Sequence, residues 1–359
     1  MTTNEIRKLY ERIPRCHIGF YPTPFHKLKK MSEKYGVDLF MKREDLSGPS
    51  NFGGNKIRKA EFIIGQAIEE GVECFVTSGG YQSNSAMELA AAAKLAGIET
   101  VVCLYDTLGQ GLPEEYRANL LLDQVLDIDI RFLENPDGLH TDSPEYMRRI
   151  KDFCGSVQKE QEKRGKRTWY VPTGCAYGNS FLAHVWTYIE TVEQAKAERI
   201  SLDYIYHTTG TGGTLPGLIA GKLLTGERTK IRSVSVNHYG PELICSHEMI
   251  RDRVKHVFRA LGLEEPSDEA IMREIDVDEG FVGKGYGIPS DEGTTAIREM
   301  AKEESIFLDP VYTGKGFAGV AAQIRSGRIP RGSSVAFIHT GGTGALFAEP
   351  EMIGNLLKK

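Results

Sequence analysis

The stretch VECFVTSGGYQSNSAMELAAAAKLAG (72–97) falls into three parts. VECFVT (72–77) is rich in residues that suit a pleated strand, and SAMELAAAAKLAG (85–97) is a run of helix formers closed by glycine. SGGYQSN (78–84) between them is a loop of glycines and small polar side chains. A strand that feeds a helix through such a loop is half of a βαβ unit, and the pattern recurs in both directions. TVVCLY (100–105), IRFLE (130–134), WYVP (169–172), DYIYHTTG (203–210), IRSVSVN (231–237) and SVAFIHTGG (334–342) read as further strands. Helical stretches at 143–165, at 179–197, from about 214 and at 293–304 separate them. Alternation of this kind predicts an α/β protein with open, mostly parallel, twisted sheets and helices on both faces.

In such folds ligands collect beyond the carboxyl ends of the strands, so the loops after strands carry the chemistry. Four stand out: SGGYQSN (78–84), HTTGTGGTLPG (207–217), DPVYTGKG (309–316) and HTGGTG (339–344). The second is a phosphate cradle in pattern. Gly210, Gly212 and Gly213 let N–H groups converge, a helix start adds positive potential, and Thr209, Thr211 and Thr214 offer hydroxyls. Leu215 occupies the last glycine position of the dinucleotide fingerprint, and no Gly-Lys-Ser/Thr follows, so neither that motif nor a P-loop is present.

NFGGNKIRKAEF (51–62) places Lys56 in the first turn of a helix whose apolar face runs Ile57, Ala60, Ile63, Ile64, Ala67, Ile68. Asn55 stands at the N-cap. A cation is disfavoured at that end of a helix, whereas a neutral amine able to attack a carbonyl is not. A Schiff-base lysine together with a separate monophosphate cradle is what pyridoxal phosphate requires.

Bulk properties narrow the rest. The 359 residues carry a formal net charge of −5, which argues against nucleic acid or an anionic membrane as the main partner. MTTNEIRKLYERIPRC (1–16) has no apolar core of a secretory signal, and no apolar run is long enough to cross a bilayer. Six cysteines without a C-x-x-C suggest free thiols in a reducing cytoplasm and no metal site. Cys175 lies in a glycine-flanked loop, where a structural thiol is the plainer reading. GQGLPEEYR (109–117) reads as a surface loop, and QKEQEKRGKR (158–167) as a solvated helix end and turn.

GGNKIRKAEF with the following SGGYQSN resembles the D-cysteine desulfhydrase and 1-aminocyclopropane-1-carboxylate deaminase family, which are fold-type II, tryptophan synthase β-subunit-like pyridoxal phosphate enzymes. YPTPFHKL (21–28), LFMKREDLSG (39–48), GKGYGIP (283–289), DPVYTGKG and FIHTGG (337–342) extend the resemblance over most of the chain. It implies that Lys56 is the Schiff-base lysine and proton shuttle and that Asn84 bonds the ring hydroxyl of the cofactor, with Asn55 also on the cofactor side. The Thr209–Thr214 loop would take the phosphate, and Ser83, Tyr286 and Tyr312 would face the substrate. Thr313 stands where the deaminases carry a glutamate near the pyridine nitrogen, with Thr340 nearby. This favours substrates with a good leaving group on Cβ over the deaminase reaction.

The chain also departs from both subgroups. Tyr81-Gln82-Ser83-Asn84-Ser85 and TGCAYGNS (173–180), with Tyr177, differ from the family pattern at positions expected to line the substrate side. A substrate other than D-cysteine is therefore open, and Lys284 could favour an extra anionic group such as that of cysteate, though a solvated lysine is the plainer reading. The expected activity is a carbon–sulfur lyase or deaminase that converts a small amino acid to a 2-keto acid and ammonia. β-Replacement, racemisation, 1-aminocyclopropane-1-carboxylate deamination and non-catalytic cofactor binding remain alternatives. The implied architecture is a large domain of residues 1–59 plus 170–359, a smaller inserted domain of 60–169, cofactor between them, and a cytoplasmic homodimer.

Overall fold

A computed structural model describes every residue except 51, 108, 110, 142, 241, 242, 358 and 359. Asn51 and Gln110, which belong to stretches quoted above, lie outside the described residues. The strands, in chain order, are β1 (Phe25–Lys27), β2 (Asp38–Lys42), β3 (Cys74–Gly80), β4 (Glu99–Tyr105), β5 (Asp129–Leu133), β6 (Thr168–Val171), β7 (Tyr204–Thr209), β8 (Lys230–Ser235), β9 (Val277–Asp278) and β10 (Ser334–Ile338). They form two sheets, one ordered β1-β2-β10-β7-β8-β9 and the other β5-β4-β3-β6. All pairings are parallel except that of β1 with β2. The α/β class with mostly parallel sheets is thus the observed one.

Strand β3 shows why this sequence builds two covered faces. Phe75 points into a core with Ile63 and Ile64 of the Lys56–Glu69 helix and Leu89 of the Asn84–Leu95 helix. Cys74 and Val76 point the other way, onto Tyr146, Ile150, Cys154 and Val157 of the Pro144–Lys163 helix. Side chains that alternate across a strand require this when both faces are buried. Gln161, expected on a solvated helix end, is buried at the close of that helix. The six-stranded sheet has the same two-sided cover. Helices Ala183–Ala197, Leu215–Thr225 and His247–Ala260 pack on one face, and Asp291–Glu304 and Thr313–Arg325 on the other. The helix at His247–Ala260 and the strands β1, β2 and β9 had no clear sequence signal. Among the described residues no helix is long and apolar enough to cross a membrane.

The Lys56–Glu69 helix is tied to the large sheet by buried charges. Arg58 donates to Glu44 just after β2 (2.5 Å) and to Glu190 (2.7 Å), while Lys42 of β2 donates to Glu190 (3.0 Å). Arg58 also stacks on Tyr21 at 4.0 Å. Mutual attraction sustains these charges only while every partner is present. Arg58→Leu leaves Glu44 buried without its main cation and should lower unfolding free energy by about 3–5 kcal/mol, measured by urea denaturation. An unchanged midpoint would show that the network does not anchor the helix.

Candidate active site

One cavity gathers the carboxyl ends of strands from both sheets. Its walls are the turn at Asn55–Lys56, the loop after β3, Thr173–Gly174 after β6, Thr208–Thr214 at the end of β7, Tyr286, Tyr312, and Thr340–Gly341 after β10. The turn before Lys56 is fixed by an isolated bridge between Gly54 and Gly341. A Cβ on Gly54 would lie 2.4 Å from the Thr340 carbonyl oxygen, so the close approach requires glycine there.

Lys56 begins its helix, as the sequence predicts, and its Nζ donates to Asn55 Oδ1 (2.8 Å). Asn55 makes no side-chain cap; its Nδ2 donates instead to Thr214 Oγ1 (3.0 Å), which couples the lysine turn to the glycine loop. The cap comes from another helix. Glu88 Oε2 accepts from the N–H groups of Gly54 (2.9 Å) and Ile57 (3.1 Å). Burial is the main force holding the Lys56 pKa below its ordinary value, and Glu88, Cys175 and Asp309 oppose it. The helix end is not the bare positive pole the sequence suggested, because a carboxylate already occupies it.

In the loop after β3, Ser83 caps the Asn84–Leu95 helix by accepting from the Ala86 N–H (3.2 Å). Ser83 and Ser85 exchange a hydroxyl contact at 3.2 Å, and Ser85 Oγ accepts from the Gly174 N–H (2.9 Å). Asn84 Oδ1 accepts from Asn119 (2.6 Å), which leaves its NH₂ free to face the cavity. Ser83, Asn84 and Ser85 line the site, but Tyr81 and Gln82 do not. Tyr81 packs edge-on to Phe132, and Gln82 is spent on Glu349 and the Asn119 N–H. Tyr177 packs on Trp169, and it is Thr173 and Gly174 of that segment that reach the cavity. Cys175 is buried behind them, its thiol pushed up to about 12 by burial. Lys284 is exposed and lines a different hollow.

The Thr209–Thr214 loop lines the cavity throughout, and it faces a residue that sequence reasoning missed. Lys59, one helical turn after Lys56, points into the same space. Its Nζ donates to the Gly174 carbonyl (2.9 Å), and a Cβ on Gly213 would lie 2.3 Å from that nitrogen. Burial, then repulsion by Lys56, holds its pKa well below the usual lysine value. Among the described residues it has no anionic partner. Thr208 Oγ1 is likewise buried without a hydrogen bond. A buried amine with no anionic partner, converging glycine N–H groups and an orphaned hydroxyl fit a phosphate, whose charge would hold that amine protonated. The spacing K-x-x-K was the sequence signal for Lys59.

Tyr286 and Tyr312 meet hydroxyl to hydroxyl in the cavity wall, and burial raises both pKa values, so both stay protonated at neutral pH. Thr313 does not line the cavity: its hydroxyl donates to Asp309 Oδ1 (2.6 Å). Asp309 is fully buried and accepts from the N–H groups of Val311, Tyr312 and Thr313. Its carboxyl and the Asn84 amide flank Gly342, so an acidic group stands behind the site although position 313 is threonine.

A shielded amine and a separate anion cradle, set where two mostly parallel sheets end, fit the needs of a fold-type II pyridoxal phosphate enzyme. The family described as "Pyridoxal-phosphate dependent enzyme" matches residues 18–341, and the chain belongs to it. The chain is 31% identical over 343 residues to a putative 1-aminocyclopropane-1-carboxylate deaminase of Pyrococcus furiosus, covering 96% of each. It is 31% identical over 356 residues to the 1-aminocyclopropane-1-carboxylate deaminase of Ralstonia pickettii, covering 94% of this chain and 97% of that one. A crystal structure of an ACC deaminase homologue superposes with a TM-score of 0.82 at 28% identity over 97% of both chains. An aspartate racemase at 18% identity, TM-score 0.62 and 95% coverage of both chains shares the fold.

Two substitutions test the cradle and the cap. Lys59→Met should weaken retention of pyridoxal phosphate by about 10–100-fold on dialysis, because the phosphate loses its ammonium partner; retention at the parent level would exclude that role. Glu88, with a pKa raised by burial from 4.5 to about 7, is protonated in the fold over a range where the unfolded chain is ionised. Its contribution makes stability fall as pH rises from about 4.5 to 7. Glu88→Gln should flatten that part of the stability curve, followed as urea midpoints across the same range.

Proposed function

We propose that the protein is a lyase or deaminase that removes the α-proton of a small amino acid, expels a β-substituent and yields a 2-keto acid and ammonia. The observation that carries this is the Lys56 amine, depressed in pKa by burial and sharing one cavity with Ser83, Asn84 and the protonated Tyr286–Tyr312 pair. Bound pyridoxal phosphate supplies an electron sink for the pair left at Cα. Thr209–Thr214 and Lys59 would hold its phosphate, and Asn84 its ring hydroxyl. Ser83 and the N–H groups opening the Asn84 helix receive the substrate carboxylate. Lys56, its pKa lowered by burial, takes the α-proton, and the tyrosine phenols donate to the leaving group.

Deamination of 1-aminocyclopropane-1-carboxylate is the second reading. The names of the relatives favour it, and so does Asp309, a carboxyl held behind the site by Thr313. We further propose a homodimer. Phe20, Leu46 and Phe307 are 64%, 47% and 59% exposed, and hydrogen bonds through Ser47, Asp45 and His339 bring their segments together.

Lys56→Ala should abolish turnover and the visible absorbance of the bound cofactor, while Tyr286→Phe and Tyr312→Phe should each lower kcat by about 100-fold. Sulfide and pyruvate from D- or L-cysteine support β-elimination, and 2-oxobutanoate from aminocyclopropanecarboxylate supports the second reading. Full turnover in Lys56→Ala would overturn both.

A further inference from the structure

A side pocket opens off the Lys56 cavity next to the tyrosine pair. Thr173, Gly210, Thr211, Tyr286 and Tyr312 border both spaces. Beyond them the wall is built by Tyr105 at the end of β4, by Thr141 and Met147 from the chain around the smaller sheet, and by Asn237 and Ile244 after β8. Both sheets therefore contribute to a space that begins where the expelled group would stand.

The chemistry of that wall is consistent. None of its described lining residues is charged. Burial raises the pKa of the Tyr105 phenol, so that hydroxyl is neutral as well. The nearest sequence candidate for an anion partner, Lys284, faces a separate hollow. Arg253 spends its guanidinium on the Thr211 carbonyl (2.6 Å) and does not reach the pocket. Asn237 is only 4% exposed, and its side-chain amide has no protein partner among the described residues. That amide lies beside Gly210, with Nδ2 3.5 Å from where a Cβ would stand. A buried amide facing an uncharged slot asks for a neutral hydrogen-bonding partner, and an anion placed there would lose its water without gaining a cation.

We propose that this pocket receives the β-substituent of the substrate, and that the substrate is a β-substituted alanine whose substituent is uncharged and several heavy atoms long. An apolar link lies against Met147 and Ile244, and one polar group beyond it meets Asn237. This rests on the elimination reading above and specifies its substrate class. For a thioether the step balances with one water. The α-proton goes to Lys56, and the Cβ–S bond breaks with its electron pair on sulfur, which takes a proton from the tyrosine pair. The released 2-aminoacrylate tautomerises and adds water to give pyruvate and ammonia, and the free thiol leaves.

The test is a titration of the cofactor-loaded enzyme with both enantiomers of S-carbamoylmethylcysteine and S-carboxymethylcysteine, which match in heavy atoms and differ in charge. Dissociation constants come from the visible absorbance shift, and thiol and pyruvate are assayed alongside. The neutral compound should bind about tenfold tighter or better in the accepted hand. Ile244→Arg, or Met147→Arg if the first variant loses its cofactor, should reverse the order. Equal or tighter binding of the carboxylate by the parent enzyme would overturn the assignment. So would a spectral response to cysteine with none to either analogue. A preference for the neutral analogue without thiol or pyruvate keeps the pocket and removes the lyase reading. Products from small substrates with no such preference keep the lyase and remove the pocket.

Discussion

Two amines one helical turn apart, Lys56 and Lys59, open a single buried helix, and neither can hold a full charge there without help. Much of the surrounding architecture follows from that constraint. Glu88 accepts the N–H groups on both sides of Lys56 and places a carboxyl near the pair, close enough to raise both lysine pKa values against burial. Lys59 stays short of an anion, a deficit that a phosphate in the Thr209–Thr214 loop would fill. Lys56 is the amine that the proposed reaction uses, and burial lowers its pKa as well.

Positioning comes from charge buried elsewhere on the same helix. Arg58 sits between the two lysines in sequence but turns away from the cavity, to Glu44 and Glu190. One turn and its successor thus carry a buried anchor, Arg58, and the two residues proposed as nucleophile and anion partner, Lys56 and Lys59. The anchor ties the lysines to the large sheet, while Ser83 and Asn84 arrive from the smaller one. The site exists only where the two sheets present their carboxyl ends to each other.

The fold class was legible because β3, β4, β7 and β10 are long apolar runs followed by glycine-rich loops. β1 and β9, with three and two residues, are too short to show a period and emerge only through pairing. The cavity-lining role of the Thr209–Thr214 loop could be read from a loop after a strand, whereas Ser83, Asn84, Tyr286 and Tyr312 were reached through the family resemblance. Lys59 was hidden in a motif already explained by its neighbour, although its i+3 spacing was visible. Tyr81, Gln82, Tyr177 and Thr313 went astray for one reason: adjacent residues in a loop point to different sides, and sequence does not say which. Glu88 and Asp309 were beyond reach, since their roles depend on backbone N–H groups that only the folded chain brings near.

The bridge between Gly54 and Gly341 has a bearing on biosynthesis. It joins the turn that presents Lys56 to the segment after β10, and the Asn55 N–H donates to the Thr340 carbonyl in the same place. A nascent polypeptide emerging from the ribosome holds Lys56 well before the strand whose end supports its turn. The turn at Lys56 therefore takes its final form only after β10 has been synthesised. Chains that stop short of β10 carry the lysine without the bridge that fixes its turn.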